Sequence, residues 1–440
     1  MVHIGHTHYN ELANGGHATL PEQRMSAVLV WIIAAATIAS ILFRPRGWPE
    51  AVWACVGAGL LVLCRLLPPE SAWRAIGKGT DVYLFLAGMM LLAELARREG
   101  VFDWLAGHAV HAARGSRTRL FTLVYVVGIL VTVFLSNDAT AVVLTPAVYA
   151  AVKKARTEAL PYLLSCAFIA NAASFVLPIS NPANLVVYGK RIPPLIPWLK
   201  VFFFPSLVSV AVTFLLLRWI SSNALKGKMD DDGEILKLTT AGRHAAWGIA
   251  FAGAVLISAS ALGLDLGLPT FTAAVAAVLI ATRANSKSIA AVGGAVSWSV
   301  LPLVAGLFVI VEALDGAGAL HGIRAAIQSC SAFPPLAGSL VASFGVAALS
   351  NLMNNLPSGL LTGSAMQGLH FPEHIRHALL VGVDLGPNLS VTGSLATLLW
   401  LIALRREGEH VSGWTFLKAG VYVMPPALLL AIAVIAFGPA

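Results

Sequence analysis

The sequence predicts an all-α polytopic membrane protein of about ten transmembrane helices, with two inverted repeats that each carry a re-entrant hairpin and an unwound helix. Three observations carry that expectation. Of 440 residues, 58% are hydrophobic and 11% are charged, against about 25% charge in a soluble domain. Apolar runs near 25–43, 49–67, 81–96, 118–135, 160–177, 195–220, 243–261, 267–283, 298–314, 334–349, 374–389 and 413–438 are of membrane-crossing length and lack the period-two alternation of barrel strands. Polar motifs inside the later runs also recur in the same order. The formal charge of +8 is strung through short loops between these runs. That distribution argues for contact with membrane lipid and against a nucleic-acid partner, whose reader gathers its basic residues on a polar domain.

Taken in order, residues 1–24 read as a polar tail containing His3, His6, His8 and His17, with no secretory signal. Residues 25–80 are N-terminal helices and 81–220 a first repeat. Within the latter, Arg97 to Arg119 carries five arginines and an apolar set (Val101, Phe102, Leu105, Val110) that fits an interfacial helix on the cytoplasmic side. Residues 221–243 form a charged linker with Asp230, Asp231, Asp232 and Glu234; 244–297 are connecting helices, 298–412 a second transport repeat and 413–440 a C-terminal helix. Cys55, Cys64, Cys166 and Cys330 have no ligand spacing, so neither a metal nor a cofactor is expected. There is no phosphate-binding G-x-x-x-x-G-K-[ST] loop either.

The repeat shows first in Gly88-x5-Glu94-x5-Gly100 and Gly306-x5-Glu312-x5-Gly318, an offset of 218. Ser136-Asn137 then answers Ser350-Asn351, and Asn171 with Ser180-Asn-Pro-Ala-Asn184 answers Asp384 with Gly393-Ser-Leu-Ala-Thr397. Four stretches resist continuous helix between apolar segments: Ser136 to Asp138, Ser180 to Asn184, Ser350 to Pro357 and Gly386 to Asn388. In hydrocarbon an unsatisfied backbone group costs several kcal/mol, so such breaks survive only where they are buried or line a wet cavity. Paired breaks in two halves mark the substrate site of a secondary transporter. Asn137, Asn181, Asn351, Asn354, Asn355, Thr392 and Ser394 are the expected binding residues, since amides and hydroxyls both donate and accept.

Carboxylates at membrane depth are functional by default, because burial disfavours their charge and lets them carry protons. Asp138 and Asp384 lie inside the breaks and are the first expected proton carriers; the repeat mates Glu94 and Glu312 are second carriers or buried struts.

At these residues the chain resembles the arsenical pump membrane protein (ArsB) family of the ion transporter superfamily, from about Met25 onward. The resemblance rests on Leu135-Ser-Asn-Asp-Ala-Thr-Ala-Val-Val-Leu-Thr-Pro146, Phe168-Ile-Ala-Asn-Ala-Ala-Ser174, Ile179-Ser-Asn-Pro-Ala-Asn-Leu185 and Leu349-Ser-Asn-Leu-Met-Asn-Asn-Leu-Pro357. Its most specific block runs from Asp384-Leu-Gly-Pro-Asn-Leu-Ser to Trp400. The chain departs from the family at two positions, where members can have Asp for Asn171 and Lys for Asn388. The resemblance implies export of arsenite and antimonite in exchange for protons from a bacterial inner membrane, conferring arsenic resistance. A cytosolic arsenite-stimulated ATPase is an optional partner, and the chain itself is not an enzyme. Two alternatives stand beside it. A sodium-coupled carboxylate or sodium/proton transporter on the same scaffold would show a Na⁺ requirement. An intramembrane transferase would need a histidine cluster at depth; His374 and His377, beside Glu373 and Pro372, read instead as a solvated helix cap.

Overall fold

A computed structural model describes residues 20–189, 192–230, 237–367 and 369–438, and these are overwhelmingly helical. The tail histidines and Asp231, Asp232 and Glu234 of the linker lie outside the described residues. The first half comprises α1 (Leu20–Phe43), α2 (Glu50–Leu63), α3 (Pro69–Lys78), α4 (Thr80–Arg98), α5 (Val101–Ala113) and α6 (Arg117–Phe134). It continues through α7 (Asn137–Ala139), a π-turn at Thr140–Leu144, α8 (Thr145–Lys154), α9 (Leu160–Ala172), α10 (Pro182–Tyr188) and α11 (Leu195–Ile220). The second comprises α12 (Thr240–Ala261), α13 (Gly267–Ala281), α14 (Ser286–Ala295), α15 (Val300–Gly316), α16 (Ala319–Cys330) and α17 (Pro335–Met353). It ends with α18 (Asn355–Met366), α19 (Glu373–Leu385), α20 (Leu395–Arg406) and α21 (Gly413–Phe437).

Among the described residues six helices, α1, α6, α11, α12, α17 and α21, are long and apolar enough to cross a membrane, and counting each bent pair as one span gives eight. Those pairs, α3–α4 and α14–α15, bend by 49° and 43° at corresponding places in the two halves. The duplication therefore extends beyond the polar motifs: the N-terminal helices α1–α3 are mates of the connecting helices α12–α14. Small residues show the same correspondence. A Cβ on Gly88 of α4 would lie 2.8 Å from Thr270 of α13, and one on Gly306 of α15 would lie 2.8 Å from the backbone of Ala54 of α2. Each half thus lends its second helix to the other half.

Length alone misidentifies α6 and α17 as crossings. Each is the first arm of a re-entrant hairpin: hairpin 1 is α6–α8 and hairpin 2 is α17–α18. Both ends of hairpin 1 lie at one end of the bundle, where residues beyond α11 touch both: Met229 N–H donates to Gly115 O (2.9 Å) and Asp230 N–H to Ala155 O (3.2 Å). The breaks at 136–138 and 350–357 mark only the tips; in each hairpin a longer entering arm precedes the break and a shorter return arm follows it. α5 packs on α6 and α8, burying Val101, Phe102 and Val110 against protein, so its apolar face is not the lipid-facing surface expected of it.

Whereas α6 and α8 enter and return at one end of the bundle, side-chain contacts set the two halves in opposite directions. Tyr149, near the end of hairpin 1, donates its hydroxyl to Glu409 just after α20 (3.1 Å), while Tyr188 at the end of α10 neighbours Arg376 at the start of α19. The broken helices α9–α10 and α19–α20 therefore run antiparallel past each other.

Candidate functional site

Each hairpin turns on an extended or left-handed residue that caps the next helix. At tip 1, Ser136 Oγ accepts the N–H of Ala139 (3.1 Å) and Asn137 Oδ1 that of Asp138 (2.9 Å). At tip 2, Asn354 sits at φ 80° and its Oδ1 accepts the N–H of Leu356 (3.3 Å). A hydroxyl pair joins the arms behind each tip: Thr132 with Thr140 (2.8 Å) and Ser350 with Ser358 (3.0 Å). Both pairs and both caps are 218 residues apart, the offset of the Gly-Glu-Gly motif. This corrects the repeat register read from the sequence. Ser136-Asn137 corresponds to Asn354-Asn355, and Ser350-Asn351 belongs to the last turn of α17, one turn earlier.

The helix breaks are held by side chains that satisfy the backbone groups a helix leaves open. In the first, Asn184 Nδ2 donates to the carbonyls of Ser174 (2.9 Å), Leu177 and Pro178 (both 3.3 Å), and Ser180 Oγ donates to Val133 O in hairpin 1 (3.2 Å). Asn181 caps α10 through its Oδ1 (3.0 Å from Ala183 N) and donates its Nδ2 to Asp384 Oδ1 (2.8 Å). In the second, Asn351 Nδ2 donates to Gly386 O (2.9 Å), Ser390 Oγ donates to Asn351 Oδ1 (2.6 Å) and Thr392 Oγ1 to Asn351 O (2.9 Å). Ser394 caps α20 as Asn181 caps α10, accepting Ala396 N–H at 3.1 Å. The two broken helices meet where Asn171 Nδ2 donates to Asn388 Oδ1 (3.0 Å) and Asn388 Nδ2 to Phe168 O (3.0 Å).

These pieces form one clasp. The return arm of hairpin 1 packs against α20, and that of hairpin 2 against α10, so each hairpin is closed by the other half's broken helix. Asn137, Asn181, Asn354, Asn355 and Ser394 are all buried there, while Asn351 and Thr392 are half-buried. Asp384 is fully buried with Asn181 as donor and Ser174 as its next polar neighbour; Asp138 is half-buried at tip 1. Glu94 and Glu312 are not brought to the breaks. Arg97 grips Glu94 at 2.6 and 2.8 Å, and Lys78 donates to Glu312 at 2.6 Å, so each carboxylate of the pair answers a cation. His377 is no solvated cap: its side chain is 17% exposed and its ring stands edge-on to Phe202 at 5.4 Å. Among the described residues no group of His, Cys, Asp and Glu has the arrangement of a metal site. Ser174, Asn184, Ser390 and Thr397 join the site without being among the expected binding residues, and their signal in the sequence is their place inside or beside the breaks.

Two inverted halves that clasp a buried amide- and hydroxyl-lined site between hairpin tips and unwound helices define a membrane transporter. The citrate transporter (CitMHS) family matches residues 28–404, and the chain belongs to it. It is 25% identical over 434 residues to the arsenical pump membrane protein of Escherichia coli K12, covering 93% of this chain and 98% of that protein. To the protein of that name from Yersinia enterocolitica it is 25% identical over 422 residues, covering 91% and 96%. An uncharacterized transporter of Mycobacterium tuberculosis is 25% identical over 439 residues, with 92% and 97% covered. The solved YdaH transporter of Alcanivorax borkumensis shares the fold, with a TM-score of 0.54 at 15% identity over 82% of this chain and 86% of that one.

Proposed function

We propose that the protein is a proton-coupled secondary transporter of the bacterial inner membrane that exports neutral arsenite and antimonite. The observation that carries this reading is the chemistry of the clasp. Neither tip nor break, from 136–140 and 173–184 to 350–358 and 386–394, contains a Lys or Arg, and the polar groups there are overwhelmingly amides and hydroxyls. Arsenous acid is an uncharged trihydroxy molecule at neutral pH, which such donors and acceptors suit. A citrate or other carboxylate would call for charge-assisted partners that these segments do not supply. The names of the arsenical pump relatives point the same way.

In this reading Asn137, Asn354 and Asn355 of the tips, with Thr392 and Ser394, hold the cargo. Asn181 and Asn351, whose amides are engaged by Asp384, Gly386 and Ser390, position the two breaks. Asp138 and Asp384 exchange protons as the clasp opens to one side and then the other, and Glu94 and Glu312 brace the scaffold. A neutral cargo draws nothing from the membrane potential. One proton entering through roughly 150 mV supplies about 3.4 kcal/mol, enough for a gradient of a few hundredfold, since about 1.4 kcal/mol is tenfold.

Arsenite uptake by energised everted vesicles tests this. We expect uptake that an uncoupler abolishes, that needs no Na⁺, and that Asp138→Asn and Asp384→Asn each cut at least about tenfold. Wild-type rates in both variants would remove the proton assignment, and a Na⁺ requirement would favour the sodium-coupled alternative.

A further inference from the structure

The two helices that back the broken segments pack side by side. α11 props the first break, where Trp198 Nε1 donates to Phe175 O (3.1 Å) and Ser209 Oγ to Ala172 O (3.0 Å). α21 presses on the second, where Gly420 leaves no room for a Cβ against the carbonyls of Asn388 and Leu389. Beyond α11 the chain crosses the mouth of hairpin 1 as a strap, bonded there through the N–H groups of Met229 and Asp230. The last turn of α11 therefore marks that end of the bundle.

At this end the outer face of the helix pair carries exposed rings and exposed cations. Trp414, Lys418 and Tyr422 follow one another at four-residue spacing along one face of α21, and Lys418 Nζ stands 5.5 Å from the centre of the Trp414 ring. Trp219 of α11 meets Tyr422 edge to face at 6.3 Å, across the groove between the helices, and Arg218 precedes it in the last turn. Among the described residues neither Arg218 nor Lys418 has a carboxylate within ion-pair distance. Leu195–Ile220 and Gly413–Phe437 contain no Asp or Glu at all. Further from this end the outer face turns apolar, with Leu207 and Leu215 of α11 and Val421 and Leu429 of α21 exposed.

We propose that the groove between α11 and α21 binds an anionic phospholipid, its phosphate held by Arg218 and Lys418 and its acyl chains lying along Leu215 and Val421. Uncompensated cations at a membrane surface attract anionic headgroups, and Trp and Tyr rings settle at headgroup level. A second copy of the chain is the other partner such a face could take. A twofold contact lays a patch on itself, which here would press cations on cations with no acid in either helix to offset them. A lipid phosphate neutralises the same pair. The bound lipid would bridge the two helices that hold the breaks.

Native mass spectrometry of the full chain, released from detergent containing phosphatidylglycerol and phosphatidylcholine in equal amounts, tests the site. Phosphatidylglycerol should be retained over phosphatidylcholine by at least about fivefold, and by less than about twofold in Arg218→Gln with Lys418→Gln. Arg218→Lys with Lys418→Arg should keep the preference. Lys226→Gln with Lys228→Gln, which takes the same charge from the strap, should keep it too. No preference in the parent, or an equal loss in the strap variant, overturns the proposal. Displacement of the lipid by excess inorganic phosphate would leave an ion site only and refute the lipid. A dimer of the parent in light scattering that Arg218→Gln with Lys418→Gln disperses would give the face to a second copy, and refute it as well.

Discussion

Asn181 shows how much one side chain can join. Its oxygen caps α10 and its nitrogen meets Asp384, from the other half of the chain. Truncation to Ala removes a cap worth about 1 kcal/mol and leaves a buried carboxyl one donor short, at about 1–3 kcal/mol. Asn181→Ala should therefore lose about 2–4 kcal/mol against denaturant in detergent, while Asp384→Asn, which keeps the shape and removes the charge, should unfold within about 1 kcal/mol of the parent and still fail to transport. The carboxylates on the scaffold behave otherwise. Glu94→Gln and Glu312→Gln should retain at least half of the transport rate, and the Glu312 change should cost at most about 1 kcal/mol because Lys78 is exposed; a transport-dead Glu312→Gln would restore it as a proton carrier. The sequence sets all four acids within or between apolar segments but does not separate these roles, because Lys78 lies 234 residues from Glu312. Asn171 and Asn388, the two positions at which a departure from the arsenical pump pattern is expected, touch each other as a neutral amide pair.

Among the elements, the breaks and the Gly-Glu-Gly helices were legible because each needs particular residue types. The hairpins were only half legible. An arm of eighteen or nineteen apolar residues is long enough to cross, and only its contacts with the return arm show that it turns back. The register at tip 2 was misread because a Ser-Asn dipeptide happens to recur one turn before the true cap. The kinship of α1–α3 with α12–α14 was invisible, since these helices share packing and no polar motif. That packing is testable. Gly306→Val should push α2 from α15 and cost about 1–3 kcal/mol, whereas Gly322→Ala in α16, with nothing within 4 Å of the added carbon, should be neutral or stabilising by up to about 1 kcal/mol. Equal effects of the two changes would refute the close approach.

Over the whole molecule, charge is distributed unequally between the ends of the bundle. Hairpin 1's mouth gathers Arg114, Arg117, Arg119, Lys153, Lys154 and Arg156, the strap adds Lys226 and Lys228, and Arg405 and Arg406 join them through the Tyr149–Glu409 contact. The opposite end holds Arg65, Arg74, Lys78 and Arg376. Excess Lys and Arg in short loops stay in the cytoplasm, so Lys226→Cys in a cysteine-free background should react with an impermeant maleimide in everted vesicles only, and Arg74→Cys in right-side-out vesicles only. The reverse pattern would invert the assignment.

The opposed directions of the two halves bear on how such a chain could arise. A single half, expressed before fusion, would have had to enter the bilayer in both orientations to find its antiparallel mate, which requires nearly balanced charge on its two faces. Joining two copies through a hydrophilic connection removed that requirement. Grafting the arginines of the more basic face onto an isolated half should trap it in one orientation and stop its assembly.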